Sequence, residues 1–154
     1  MTSPIEKLRQ YGYELPQPKA PVASYVPVRR VGNILYISGQ ISIDANDVVM
    51  EGVLGDTMNV VQGGNAAELC AVNLLAQIVH TANVQLEDVV QVVKLTIFVA
   101  SAPGFHEQHL VANGGSNLII GVLGDKGKHA RSAFGVASLP LGACVEIELI
   151  AEVA

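Results

Sequence analysis

Residues Val89–Ser101 read VVQVVKLTIFVAS. Val93, Leu95, Ile97 and Val99 share one face, and such strict alternation predicts a β-strand with one side buried. Lys94 falls on the less apolar face, where its stem can lie along the sheet while its ammonium reaches water. Helical patterns flank this strand on both sides. From Gln62 to Ala82, Leu69, Val72, Ala76 and Val79 share a side with Ala71, Leu74, Leu75 and Ile78 beside them, a stripe wide enough to pack on a sheet. Pro103-Gly104 ends the strand, and Phe105–Leu123 predicts a second helix with Gly114-Gly115 inside it.

Outward from this centre the chain supplies further strands. Ser24–Arg30 and Ile34–Ser38 flank Gly32-Asn33, a pair that tolerates the positive φ of a tight hairpin turn. ISGQISID continues into a third run, with Asp44–Asp47 as its solvated loop, and Asn83–Asp88 forms a polar turn after the first long helix. Arg131–Ser138 and Cys144–Val153 follow as strands joined by LPLGA. Near the N-terminus, Pro4–Tyr11 predicts a short helix closed by Gly12, and the prolines of YELPQPKAP preclude regular structure. The order β-β-β-α-β-α-β-β implies an α+β class, a mixed sheet with two helices packed on one face. Residues 1–154 are expected to form one domain, with 1–22 as an N-terminal extension.

Such a sheet leaves its second face open, and composition suggests what covers it. Apolar residues make up 50% of the chain and charged residues 15%, against about 25% in ordinary soluble domains. Association with copies of itself is the expected way to hide that surface. Nine Lys plus Arg against fourteen Asp plus Glu give a net charge of −5, with no basic run longer than Arg29-Arg30, which disfavours nucleic-acid binding. MTSPIEKLRQYG lacks the apolar core of a signal peptide and no run reaches membrane-span length, so a cytoplasmic protein without a membrane partner is expected.

Several chemistries find no support. Cys70 and Cys144 read as small buried hydrophobes rather than a disulfide or metal pair. His106 and His109 are three apart on a helix, with His129 far downstream, but nothing signposts the further ligands zinc needs, so no metal is expected. VQGGNAAE fits neither a dinucleotide fingerprint nor a P-loop, and Gly63-Gly64 reads as a turn before a helix. No serine or cysteine lies in a nucleophile motif.

HARSAFGVASLP, residues 129–140, holds a lone cation. No acidic residue lies within four positions of Arg131 on either side. Two readings stay open: an ion pair with Glu146 or Glu148 of the next strand, or a guanidinium at the rim of an apolar cleft that binds a small carboxylate through paired hydrogen bonds.

Three stretches resemble the RidA/YjgF family of reactive-intermediate deaminases, also labelled endoribonuclease L-PSP-like: SYVPVRRVGNILYISGQISID, VVKLTIFVAS and HARSAFGVASLPLGACVEIELIAEVA. The resemblance spans Ser24 to the C-terminus. It implies a chorismate-mutase-like α+β fold assembled as a homotrimer, with a site in each cleft between subunits. The implied activity is cofactor-independent hydrolysis of enamines and imines to 2-keto acids and ammonia. The alternatives are a non-catalytic binder of small carboxylates and, disfavoured by charge, a ribonuclease or translation inhibitor. By this resemblance Arg131 clamps the substrate carboxylate and Glu146 positions or activates water. Tyr25, Ser38 and Gly39 line the cleft, and Asn113 matches an asparagine of the second helix. Ala133 stands where many members carry Cys or Thr, so only a backbone contact is retained there. The N-terminal extension and ANGGSN also depart from the family pattern and could reshape or cover the cleft.

Overall fold

A computed structural model describes residues 2–21 and 23–154. Its elements are α1 (Pro4–Gln10), β1 (Val28–Val31), β2 (Ile34–Ile41), α2 (Val60–Ala76), β3 (Val89–Ala100), α3 (Gln108–Leu123), β4 (Ala130–Val136) and β5 (Val145–Val153). The five strands form one mixed sheet in the order β1-β2-β5-β3-β4, antiparallel except for the parallel β3–β4 pair.

Register sorts the side chains between two faces. Leu35 and Ile37 of β2, Leu95, Ile97 and Val99 of β3, and Val145, Ile147 and Leu149 of β5 share one buried core with α2 and α3. The opposite face carries rows that no helix covers, among them Tyr36–Ile150–Lys94 and Ile41–Glu146–Phe98–Phe134. Both long helices therefore pack on one side, as the order of elements predicts. No helix among the described residues is long and apolar enough to cross a membrane.

Local chemistry sets the helix ends. The Asn59 side chain accepts from the Gln62 amide while the Gln62 side chain accepts from the Asn59 amide, both at 2.9 Å, so α2 starts two residues earlier than its apolar stripe suggests. Its last turn widens into a π-helical turn over Gln77–Thr81, closed by the Ala82 amide on the Gln77 carbonyl at 3.0 Å. Gly63 and Gly64 lie inside α2 rather than in a turn before it. A Cβ on Gly114 would overlap the Gly64 carbonyl, so the missing side chain of Gly114 lets the two helix backbones cross closely.

Two slips in pairing correct the strand expectations. The ISGQ run does not begin a third strand: β2 runs through it to Ile41, with the register shifting between Ile37 and Gln40. Two strands, not three, therefore precede α2. On β3 a second shift between Val92 and Lys94 places Val92 in the core, 1% exposed, and turns Val93 outward at 40%. β1 covers only Val28–Val31, and α3 starts at Gln108 rather than Phe105.

The N-terminal segment packs on the helices. Leu8 of α1 is buried, the Tyr11 hydroxyl lies against Gly121 of α3, and the Tyr13 hydroxyl donates to Glu68 Oε1 of α2 at 3.4 Å. Cys70 and Cys144 are both buried, and burial pushes both thiols up.

Candidate functional site

Arg131 ends a row on the helix face, Ile37–Leu149–Leu95–Arg131, and it belongs to the sheet's edge strand. β3 lies between β4 and β5, so these two strands, consecutive in sequence, are not neighbours in the sheet. This overturns the ion-pair reading. The ion pairs among the described residues are Arg9–Glu14, Lys19–Asp47 and Lys128–Asp125, and none includes Arg131.

Its guanidinium turns instead to α3. Nη1 donates to Asn113 Oδ1 at 2.8 Å and to Ser116 Oγ at 3.3 Å, while Nη2 donates to the His109 carbonyl at 3.2 Å. Asn113 and Ser116 are three apart on the helix and so present neighbouring side chains to the cation. All three acceptors are neutral. A guanidinium has five N–H groups, and Nε–H with the second Nη2–H has no partner among the described residues. Nε and Nη2 share one edge of the guanidinium plane, the edge whose geometry matches a carboxylate.

Ser116 is tied in turn to His129, its Oγ 2.9 Å from Nε2, and His129 Nδ1 lies 2.6 Å from the Gly127 carbonyl. Burial lowers the His129 pKa, the Gly127 hydrogen bond opposes that shift, and the Arg131 charge adds to it. Ala133 and Gly135 follow Arg131 on the same side of β4, opposite Ile97 and Val99. A Cβ on Gly135 would sit 2.9 Å from Gln108 Nε2 and 3.0 Å from Ser101 Oγ, so the strand lies close to the start of α3 at this glycine.

Glu146 occupies the other face of the sheet, between Ile41 and Phe98. Burial raises its pKa above the usual glutamate range, and the neighbouring Glu148 carboxylate raises it further. Gly39 sits at the β2 shift, where a Cβ would lie 2.8 Å from Glu146 Cδ, so the missing side chain makes room for the carboxylate. Ser38 holds the preceding segment, its amide on the Pro27 carbonyl at 2.9 Å and its hydroxyl on the Val26 carbonyl at 3.2 Å. Tyr25 is exposed just before that anchor. Phe98 and Phe134 meet edge to face at 5.1 Å, extending an aromatic wall beyond Glu146.

The predicted residues thus divide into two groups. Arg131, Asn113 and Ala133 gather at the edge strand and α3; Glu146, Gly39 and Ser38 gather on the open face. Two strand spacings, about 10 Å, and three residues along the strands separate Arg131 from Glu146, on opposite faces. Two open hollows of about 540 and 250 Å³ are lined by neither residue. No three His, Cys, Asp or Glu side chains among the described residues gather as a metal site. Sequence reasoning passes over Ser116, Phe98 and Phe134 and weighs His129 only as a metal ligand; the Arg131 partners follow from the rotation of α3 over β4, for which a single helical stripe is no guide.

Residues 16–153 match the family described as endoribonuclease L-PSP. Protein TCP17 of Trypanosoma cruzi is 44% identical over 148 residues, covering 94% of this chain and 91% of that protein. A crystal structure from Agrobacterium tumefaciens, of a protein described as having unknown function, superposes with a TM-score of 0.92 at 46% identity, covering 98% of this chain and 92% of that one. RidA from the Antarctic bacterium Psychrobacter sp. gives a TM-score of 0.61 at 30% identity, covering 89% and 94%.

Proposed function

This chain belongs to the endoribonuclease L-PSP family, the family of RidA and YjgF, in a divergent subgroup, and from that premise we propose that it is an enamine/imine deaminase working as a homotrimer. The observation that carries the proposal is the Arg131 guanidinium, held by three neutral acceptors with one donor edge left over. A carboxylate would supply both the missing charge and two acceptor oxygens.

The acid needed for hydrolysis lies too far from Arg131 within one chain. In the trimer, Glu146 of one subunit would face Arg131 of the next, with Tyr25, Ser38 and Gly39 lining the cleft beside Glu146 and with Asn113 and Ala133 beside Arg131. Phe98 and Phe134 would shield the substrate's apolar end.

The chemistry makes small demands. An imine carbon is already electrophilic, so no cofactor is invoked: Arg131 fixes the carboxylate and Glu146 orients one water toward that carbon. Water adds to C=N, a proton passes to nitrogen, and the carbinolamine collapses to a 2-keto acid and ammonia. A glutamate whose pKa is raised by burial exchanges that proton nearer neutral pH than an ordinary one. The two free thiols suit the reducing cytoplasm.

Ala133 favours a second reading. Where many members of the family offer a Cys or Thr side chain, this chain offers only backbone, which suffices to hold a small carboxylate without turning it over. Keto-acid release from freshly generated 2-iminobutyrate separates the two. The deaminase accelerates it over buffer and Arg131→Ala does not; a pure binder leaves the rate at the buffer value while still binding 2-ketobutyrate through Arg131.

A further inference from the structure

The pairing of Ser116 with His129 lies outside everything assigned above. A carbonyl only accepts, so the 2.6 Å contact with Gly127 places a proton on His129 Nδ1. The neutral ring then offers a lone pair at Nε2, and the single Ser116 hydrogen points to it at 2.9 Å. That leaves a hydroxyl lone pair for Arg131 Nη1 at 3.3 Å. Every link has one direction: guanidinium to hydroxyl to imidazole to carbonyl.

We propose that His129 and Ser116 are positioning residues that set the rotation of the Arg131 guanidinium, so that its Nε–Nη2 edge meets the substrate carboxylate. The proposal rests on the carboxylate reading of Arg131. With the Nη1 hydrogens fixed on Asn113 and Ser116, the plane cannot turn to offer its end, and the free fork is presented in one orientation. The depressed pKa of His129 agrees, because an imidazolium would place a second donor on the hydroxyl that receives Arg131.

The same two side chains do not form a nucleophilic dyad. Ser116 is only 7% exposed, its oxygen already receives a cation, and a backbone carbonyl stands where a triad keeps its carboxylate. The arrangement orients a neighbour and leaves no room for attack.

Two measurements on the full-length protein test this. Nitrogen-15 NMR at neutral pH should find His129 protonated at Nδ1 and bare at Nε2; the opposite tautomer, or an imidazolium, overturns the proposal whatever the ligand. Calorimetry with 2-ketobutyrate, paired with imine turnover, should show Ser116→Ala and His129→Leu each weakening binding about tenfold, with KM raised and kcat within about twofold. The double variant should cost no more than the worse single one, and His129→Gln, which keeps one donor and one acceptor, should stay within about threefold of wild type. Loss of binding in Arg131→Ala, with wild-type affinity in both single variants, overturns the positioning role and leaves the carboxylate reading standing. Wild-type affinity in Arg131→Ala, or no binding by the wild type, removes both.

Discussion

Arg131 stands on an edge strand with its charge spread over three neutral acceptors from a helix, whereas Glu146 stands in mid-sheet on the open face, beside a glycine and an aromatic ring. The first is oriented by hydrogen bonds. The second is shaped by packing, and burial pushes it toward its neutral form. One sheet thus builds a fixed cation and a titrating acid on opposite faces. Under the proposed function these are two halves of one site, and a second copy of the chain is what joins them.

The largest break in this comparison comes from the cation. Arg131→Ala should lower kcat/KM for imine hydrolysis by about a hundredfold or more, the scale of a lost charge-assisted fork, and Arg131→Lys should not rescue it because an ammonium cannot present two parallel donors. Steady-state kinetics on 2-iminobutyrate checks both. Glu146→Gln should cost about a hundredfold in kcat with KM within about threefold, as expected for a proton-transfer group rather than a clamp.

Glu146→Gln also sharpens the contrast through stability. With a folded pKa above the unfolded value near 4.3, wild-type Glu146 binds its proton more tightly when folded, so its contribution is full below that value and lost as pH rises through the folded pKa. The glutamine variant should therefore gain on wild type between about pH 4 and pH 7, read from urea midpoints at the two pH values. A smaller effect is expected at Gly39. An added methyl would sit 2.8 Å from Glu146 Cδ, so Gly39→Ala should displace the carboxylate and lower kcat about tenfold while 2-ketobutyrate binding falls less.

Much of the scaffold was legible from periodicity. The β3 strand and the stripe of α2 follow from apolar spacing, and α3, β4 and β5 were expected close to their observed bounds. What escaped was the slip of one strand against its neighbour. Alternation cannot show a shift between Val92 and Lys94, because the extra residue is itself a valine. Ser38-Gly39 looked like a break between two runs, yet the chain bulges there and continues. Gly63-Gly64 looked like a turn because the residue that Gly64 meets, Gly114, is fifty residues away and visible only in the helix crossing.

The site was legible in a similar measure. Arg131 could be singled out as a cation without a local partner, but its expected neighbours on the next strand were displaced by β3. The connection through Pro140–Gly142 carries the chain past β3, so that β5 lies between β2 and β3. The acceptors that replaced those glutamates belong to α3, where Asn113 was anticipated through family resemblance and Ser116 was not.

The central claim, that the site is shared between chains, is tested most directly by mixing two inactive variants. Arg131→Ala and Glu146→Gln subunits, unfolded together and refolded at equal concentration, should recover about a quarter of wild-type activity, the share of head-to-tail interfaces that join an intact Arg131 to an intact Glu146. Activity no higher than that of either variant alone would contradict it.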